Sequence, residues 1–344
     1  MAELLDRHPI VGPRYEDCGD VYAGRIETSH GDVRFLSMGP KDADKEFYVI
    51  GGLVSGCEYF YPARAIVRAG LGRVTMLRHS DRGGSHREIL DKDADEMAES
   101  VMVLNNQGAP TSFLNHSKGT KVGLLTVPKL PGGIDVQEVF EFNPVIGTSL
   151  NSENIMRRLR SLPHISVEGA YTALRHPMRM RRTQVGSQWE VATRAGAILS
   201  ETYALMFADQ DIKKRDVEAV RNRHNSAGKT VIVCAYGSHD KITHAIDIEQ
   251  GIEKQKIEFD ALIKLDRKGF RGHLDLINNP DVVLAIVNFS GVMLEAVREA
   301  DTSQISSAEG ELQDDMPEGV TAVDVELKLP TNKTRRPKQL KTAA

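Results

Sequence analysis

Ser117 is the residue of this sequence whose surroundings best suit a nucleophile. It lies in the segment Asn115 to Gly119, directly after an apolar stretch that predicts a β-strand and directly before a stretch that predicts a helix. A sharp turn at such a point lifts a serine hydroxyl above the edge of a sheet, and the helix N-terminus supplies positive potential beside it. Small flanking residues are needed there; Gly119 is small, but Asn115 stands where glycine is usual. An ordinary helix N-cap serine is the alternative interpretation, and the neighbouring His116 is interpreted as packing support.

An acid and an imidazole follow Ser117 in the chain, each after a later predicted strand. Asp240 lies in the turn after the apolar run from Thr230 to Tyr236, and His273 follows Gly272 before the last predicted helix. A neutral imidazole is a competent base near pH 7, and a carboxylate beside it holds its tautomer and stabilises the imidazolium. Ligand sites in open parallel sheets form at the carboxyl ends of the strands. These three side chains therefore predict nucleophilic catalysis by a serine.

Other side chains are alternatives for the imidazole and the acid. His239, beside Asp240 in sequence, is an alternative imidazole. Asp209 and Asp211 are alternative acids, whereas Asp275 and Asp281 are expected to be solvated.

Apolar stretches that predict strands alternate with stretches of helical composition. The predicted strands are 21–28, 33–38, 47–50, 74–77, 112–114, 136–142, 230–236 and 259–265, and the predicted helices are 61–69, 93–105, 245–256 and 280–298. Turn residues between the first two strands predict a hairpin. The later alternation of strand and helix predicts the α/β class, with a mostly parallel, doubly wound sheet and helices on both of its faces.

The alternation stops between residues 144 and 225, which are helix-like and rich in Arg and Met. We interpret this stretch as an inserted helical cap. Its Arg-rich segment 175–182 suits either an anionic ligand or a solvated helix face with ion pairs. Residues 1–18 are interpreted as a lead-in segment, and residues 301–344, with few large apolar side chains, as a disordered tail. The predicted division is a core of 1–143 and 226–300, a cap of 144–225 and a tail of 301–344.

The bulk composition is that of a globular protein with a packed core. Of 344 residues, 40% are hydrophobic and 27% are charged, close to the average for soluble domains. The formal net charge of -4 gives no reason to expect nucleic acid or an anionic membrane as the main partner. The three cysteines are too few and too scattered for a disulfide framework or a metal cluster. We expect no metal and no cofactor.

Targeting and cofactor motifs are also missing from the sequence. The first seven residues carry both acid and base, without an apolar stretch for export, and no run approaches the roughly 18 uncharged apolar residues of a membrane span. We therefore expect a cytoplasmic protein without a membrane span. The glycines after strand 47–50 do not form G-x-G-x-x-G, and neither a P-loop nor His-Glu-x-x-His occurs. Dinucleotide binding, phosphoryl transfer and zinc hydrolysis are thus not supported.

The order of these features resembles the α/β-hydrolase family over roughly residues 20–300. That family has an oxyanion-hole loop after an early strand, where this chain has Gly51 to Leu53. It has a further loop after the next strand, which Asp81 to Ser85 resembles in shortened form. Its triad runs serine, acid, histidine along the chain. The residues that match this order are Ser117, Asp240 and His273.

The resemblance implies a role for each of these residues. Ser117 would be the nucleophile, His273 the base and Asp240 the acid that orients it. The backbone amides of Leu53 and Lys118 would form the oxyanion hole.

The resemblance also implies a class of reaction, with alternatives left open. We expect a serine hydrolase that cleaves an ester or thioester of a small-molecule acyl substrate through an acyl-enzyme. Acyl transfer on the same site is an alternative. The family usually has glycine at the position of Asn115 and histidine at that of Gly51, so a non-catalytic module that binds a ligand or a protein is another. A serine argues against dehalogenase and epoxide-hydrolase chemistry, which uses an aspartate nucleophile. No pattern indicates an oligomeric state.

Overall fold

The structure is a computed structural model. It describes residues 2–11, 15–51, 59–78, 88–105, 108–146, 211–223, 229–240, 243–267, 273, 276–299, 310–318 and 320–327. Ten strands in these ranges form one sheet. They are β1 (Glu3–Pro9), β2 (Val21–Glu27), β3 (Asp32–Met38), β4 (Glu46–Ile50), β5 (Arg73–Arg78), β6 (Thr111–His116), β7 (Val136–Phe142), β8 (Val231–Gly237), β9 (Ala261–Arg267) and β10 (Val320–Leu327).

The centre of this sheet is parallel and its two ends are antiparallel. The strand order is β1-β2-β3-β5-β4-β6-β7-β8-β9-β10. The run from β5 to β9 is parallel, while β1, β2 and β3 at one end and β10 at the other pair antiparallel. Every residue of β6, β7 and β8 is buried, as in a parallel sheet covered on both faces. The predicted fold class is confirmed.

Six helices of eight or more residues are described. They are α1 (Phe60–Arg68), α2 (Ile89–Leu104), α3 (Lys118–Thr126), α4 (Lys214–Arg221), α5 (Ala245–Gln255) and α6 (Pro280–Glu299). Apolar side chains of α1 and α6 join one buried cluster, and those of α2 to α5 join a second. Strand side chains alternate between the two: Phe47 and Val49 join the first, and Tyr48 and Ile50 join the second. The two clusters are the two faces of the doubly wound sheet.

Helix α6 lies in the first of these clusters. By length and composition it could cross a membrane, because the window Pro280–Val297 has a mean hydropathy of 1.6. However, 56% of that window is buried inside the protein, and the helix packs on α1 and β8. Buried core helices commonly pass such a test, so its hydropathy follows from its place against the sheet.

Both edge strands depart from the predictions. The segment interpreted as a lead-in contains β1, which pairs with β2. The prediction of a disordered tail over 301–344 is wrong for 310–318 and 320–327: residues 310–315 are helical and β10 pairs with β9. Leu312 and Val320 are 1% and 4% exposed and belong to the first core cluster. These few apolar residues are diluted by the acidic residues around them, which is why the composition suggested disorder. The basic residues 328–344 lie outside the described part.

A backbone hydrogen bond joins the two stretches of chain that flank residues 147–210. Ile212 N–H donates to the Val145 carbonyl at 3.0 Å, just beyond the end of β7. Helix α4 then packs against α3. Residues 147–210 themselves, with most of the predicted cap and its Arg-rich segment, lie outside the described residues, so the division into core and cap stays a prediction.

Candidate active site

Ser117 stands at the sharp turn between β6 and α3, in an unusual backbone conformation. Its φ is 55° and its ψ is -122°. A non-glycine residue at positive φ costs on the order of 1–3 kcal/mol, and such strain clusters at functional sites. The Ser117 side chain makes no capping hydrogen bond to α3, which argues against the ordinary N-cap interpretation. Its N–H donates instead to the Phe142 carbonyl of β7 at 3.1 Å, which fixes the turn above the sheet edge.

Glycines make room for this turn on both sides. A Cβ at Gly119 would lie 2.1 Å from the Ile50 carbonyl oxygen, so α3 begins in backbone contact with the end of β4. A Cβ at Gly123 would lie 2.1 Å from Nδ2 of Asn115, so the amide occupies space that Gly123 leaves open. That Nδ2 also donates to Glu141 Oε1 at 2.9 Å. The absence of a side chain at Gly123 therefore leaves room for Asn115 at a position where glycine is usual.

The predicted acid and imidazole are in direct contact. His273 Nδ1 lies 2.6 Å from Asp240 Oδ2, and the two side chains are 7% and 1% exposed. Thr243 adds two donors to the same carboxylate, its Oγ1 at 2.6 Å and its N–H at 3.2 Å. A carboxylate that accepts from Nδ1 holds the proton there, so the lone pair of the neutral ring lies on Nε2.

His116, predicted to support packing, contacts His273 in two ways. Its Nε2 lies 3.2 Å from the His273 carbonyl oxygen, and the ring centroids are 4.8 Å apart. Burial, followed by the charge of His273, lowers the pKa of His116 to about 3, so it is neutral at pH 7. The carbonyl can only accept, so Nε2 carries the proton and Nδ1 accepts from the Tyr59 hydroxyl at 3.0 Å.

Asn143, which the sequence did not single out, also binds the His273 carbonyl. Its Nδ2 donates to that oxygen at 2.8 Å, and its Oδ1 accepts the Gly237 N–H at 3.0 Å. It is 1% exposed and has a φ of 45°. An asparagine directly after a strand, where a positive φ is best tolerated by Asn or Gly, was the one available signal.

Two buried lysines lie in the first turns of α3, each beside an acid. Lys118 Nζ lies 2.6 Å from Asp93 Oδ2 on α2. Lys121 Nζ binds the carboxylate of Asp216 and donates to the Asp211 carbonyl at 3.0 Å. Cations are unfavourable near a helix N-terminus and costly when buried, so these acids offset a local penalty. The Lys118 pair also links α3 to α2, and the contacts of Lys121 link α3 to residues 211 and 216.

The two predicted oxyanion donors belong to different parts of the site. Lys118 is the first residue of α3, so its amide lies at the helix N-terminus beside Ser117. Leu53 lies outside the described residues. However, a Cβ at Gly119 would be 2.7 Å from the Gly51 carbonyl oxygen, so the chain two residues before Leu53 passes against this turn.

The alternative residues lie elsewhere. His239 is 63% exposed and its Nε2 lies 3.2 Å from Asp266 Oδ1. Asp211 is buried, with its carbonyl bound by Lys121 as above, and Asp281 is exposed on α6. Asp209, Asp275 and the segment 81–85 lie outside the described residues. Within the described part of the chain, no group of three or more His, Cys, Asp or Glu side chains could hold a metal ion.

Comparisons with known proteins identify the fold. No protein-family model matches the chain, and no curated protein matches its sequence. Among solved structures, E-2-(acetamidomethylene)succinate hydrolase is 14% identical with a TM-score of 0.52, over 78% of this chain and 98% of that one. A carboxylesterase structure from the ammonia-oxidizing thaumarchaeon Nitrososphaera gargenis is 12% identical with a TM-score of 0.50, over 84% and 99%. A bacterial membrane phospholipase A is 10% identical with a TM-score of 0.51, over 80% and 87%. The chain has the α/β-hydrolase fold.

Within this α/β-hydrolase fold, the predicted site residues come from three strand ends. Ser117 follows β6, Asp240 lies beyond the end of β8, and His273 follows β9. The structure brings Asp240 and His273 into contact, and it places Ser117 next to His116, whose ring contacts that of His273. Identities of 10–14% show the fold alone, so the reaction rests on the chemistry of these groups.

Proposed function

We propose that this protein is a serine hydrolase that cleaves an ester or thioester through an acyl-enzyme on Ser117. The observation that carries the proposal is the pairing of two features at one sheet edge. Ser117 occupies a strained strand-to-helix turn with φ 55° after β6, and a buried carboxylate–imidazole pair joined at 2.6 Å lies beyond the ends of β8 and β9. A buried imidazole with its Nδ1 on a carboxylate is the arrangement that activates a serine hydroxyl.

The first step forms the acyl-enzyme. Ser117 Oγ attacks the acyl carbon while Nε2 of His273 takes its proton, and Asp240 stabilises the imidazolium through Nδ1. The imidazolium then gives that proton to the leaving alcohol or thiol as its bond to the acyl carbon breaks. Water, deprotonated by the same imidazole, releases the acid and restores Ser117.

Charge that develops on the acyl oxygen needs donors at the turn. The Lys118 amide at the start of α3 suits this role, because it adds the positive end of the helix to a hydrogen bond. The Gly51 carbonyl lies against the same turn, and this position two residues before Leu53 supports Leu53 as the second donor. Loss of one such donor typically costs about 10²–10³ in rate.

Labelling with a fluorophosphonate probe, together with hydrolysis of p-nitrophenyl acetate, tests this proposal. Wild type should react with the probe, mass spectrometry of its peptides should locate the adduct on Ser117, and Ser117→Ala should lose both labelling and turnover. Ser112→Ala is the matched control, since this serine is buried on the same strand at its other end, bonded to Glu138. Its labelling should remain.

Two outcomes contradict the proposal. A wild type that neither labels nor turns over would favour a non-catalytic binding module, and an adduct that persists in Ser117→Ala would move the nucleophile to another residue. Addition of an alcohol acceptor to the ester assay separates acyl transfer from hydrolysis. Transfer predicts a new ester at the expense of free acid.

A further inference from the structure

The chain at the end of β7 contacts the segments that carry all three residues of the proposed triad. The Phe142 carbonyl accepts the N–H of Ser117 at 3.1 Å. The next residue, Asn143, donates its own N–H to the Ala235 carbonyl at 2.8 Å and accepts the Gly237 N–H on Oδ1 at 3.0 Å. These two bonds hold the end of β8, from which the chain runs to Asp240.

The side chain of Asn143 also reaches the loop that carries the imidazole. His273 lies in a turn outside the helices and strands, and its carbonyl accepts Nδ2 of Asn143 at 2.8 Å. His116 Nε2 adds a second, longer bond at 3.2 Å to the same oxygen. Both donors start from the sheet edge, so the backbone of His273 is held by side chains rather than by a strand ladder.

The backbone conformation of Asn143 separates two possible reasons for an asparagine at this position. A φ of 45° favours Asn or Gly over other residues. Glycine would satisfy that backbone at no steric cost. Glycine lacks the side-chain amide, however. In this structure that amide, which is 1% exposed, bridges Gly237 and His273.

We propose that Asn143 is a positioning residue that sets the distance between the segment of Asp240 and the imidazole of His273. This inference rests on the proposed function. Oδ1 of Asn143 binds Gly237 at the end of β8, and Nδ2 of the same amide binds the His273 carbonyl. The two loops are therefore held at a fixed distance from each other. A small displacement of either loop would lengthen the approach of Ser117 Oγ to His273.

Asn143→Gly tests the side chain without straining the backbone. We expect the rate of fluorophosphonate labelling and kcat for p-nitrophenyl acetate to fall about 10²-fold, as a displacement of about 1 Å does. KM should change little, because the loss concerns the transition state and not binding of the ester. Asn143→Asp is the second variant: it keeps an acceptor for Gly237 and removes the donor to His273, so its labelling should also fall.

Gln137→Ala is the matched control. Gln137 lies near the other end of β7 and its Nε2 donates to Asp135 at 2.9 Å, so this change removes a polar contact of the same strand away from the site. Its labelling rate should equal that of wild type. Wild-type labelling in both Asn143 variants overturns the inference, and so does an equal loss in Gln137→Ala.

A readout independent of catalysis separates this inference from the proposed function. The Nδ1 proton between His273 and Asp240, in a 2.6 Å contact, should give a downfield proton NMR signal that Asp240→Asn abolishes. If wild type fails to label, the proposed function fails, and this signal still tests the role of Asn143. Its loss or broadening in Asn143→Gly supports positioning, and an unchanged signal refutes it.

Discussion

Two acidic side chains near the carboxyl edge of the sheet are both buried, yet their surroundings differ. Asp240, beyond β8, receives hydrogen bonds from Oγ1 and N–H of Thr243 and lies against Nδ1 of His273. Glu141, in β7, receives one from Nδ2 of Asn115. Burial raises the pKa of Glu141 well above its usual range, which that single bond only partly offsets. Convergent donors favour a carboxylate, and burial with a single neutral donor favours a carboxylic acid. Depth alone therefore does not decide which acid can stabilise a cation.

Replacement of each acid by its amide should give the largest difference in kcat between the Asp240 and Glu141 positions. Asp240→Asn is expected to lower kcat for p-nitrophenyl acetate by about 10⁴-fold, because the amide no longer favours the imidazolium or its correct tautomer. Glu141→Gln keeps the shape of a side chain whose pKa burial raises well above its usual range, so it should leave kcat within about threefold of wild type. Steady-state kinetics on both variants test this. A large loss in Glu141→Gln, or none in Asp240→Asn, would reverse the assignment.

The sequence carried enough information for the scaffold and for the ends of its strands. Buried parallel strands are continuous apolar runs, so β4 to β9 were all predicted near their observed bounds, and Ser117 and Asp240 follow from strand ends. The edge strand β1 is mostly exposed and both edge strands carry charged residues, so neither β1 nor β10 has the apolar run that would predict a strand.

The contacts that hold His273 could not be predicted in the same way. Its carbonyl binds Asn143 and His116, which lie 130 and 157 positions earlier in the chain. Every residue has a backbone carbonyl, so the sequence does not indicate which carbonyl accepts a hydrogen bond from a distant side chain. The opposite surroundings of Asp240 and Glu141 have the same origin, since they depend on which donors the fold brings to each acid.

The donors around Asp240 can be weakened one at a time. Thr243→Val keeps the shape of the side chain and its N–H but removes the hydroxyl, which lies 2.6 Å from Oδ2. A hydrogen bond to a charged group is worth about 1.5–3 kcal/mol, so we expect a loss of that order in the free energy of unfolding. Urea denaturation measures it. Thr126→Val, which removes a buried hydroxyl bonded to the Val122 carbonyl inside α3, is the control with the smaller expected loss. Equal losses would mean that Asp240 does not need its convergent donors.

Asn115, the hydrogen-bond partner of Glu141, can be displaced by filling the space beside Gly123 that its amide occupies. Gly123→Ala would place a Cβ 2.1 Å from Nδ2 of Asn115, which must then move away from Glu141. Overpacking of this kind costs about 1–3 kcal/mol of stability. Asn115→Gly vacates the space, so the double variant should be more stable than the sum of the two single losses predicts. Additive losses in a double-mutant cycle would show that the two positions do not compete.

The charge state of Glu141 should appear as a pH dependence of stability. Its pKa is raised in the folded protein and ordinary, about 4.3, in the unfolded chain, so the unfolded state loses the proton first as the pH rises. The folded state then binds more protons, and this group lowers the stability of wild type by about 1.4 kcal/mol per pH unit until its folded pKa is reached. Glu141→Gln does not titrate.

The free energy of unfolding of Glu141→Gln, relative to wild type, should therefore increase from pH 5 to pH 7. Urea denaturation at several pH values measures that difference. Ser100→Ala removes a buried hydroxyl that donates to the Glu96 backbone carbonyl and not to a titrating side chain, so its difference from wild type should stay constant with pH. A constant difference for Glu141→Gln as well would mean that Glu141 is ionised in the folded protein. In that case a single amide donor would suffice to hold a buried charge, and the donors gathered around Asp240 would need another explanation.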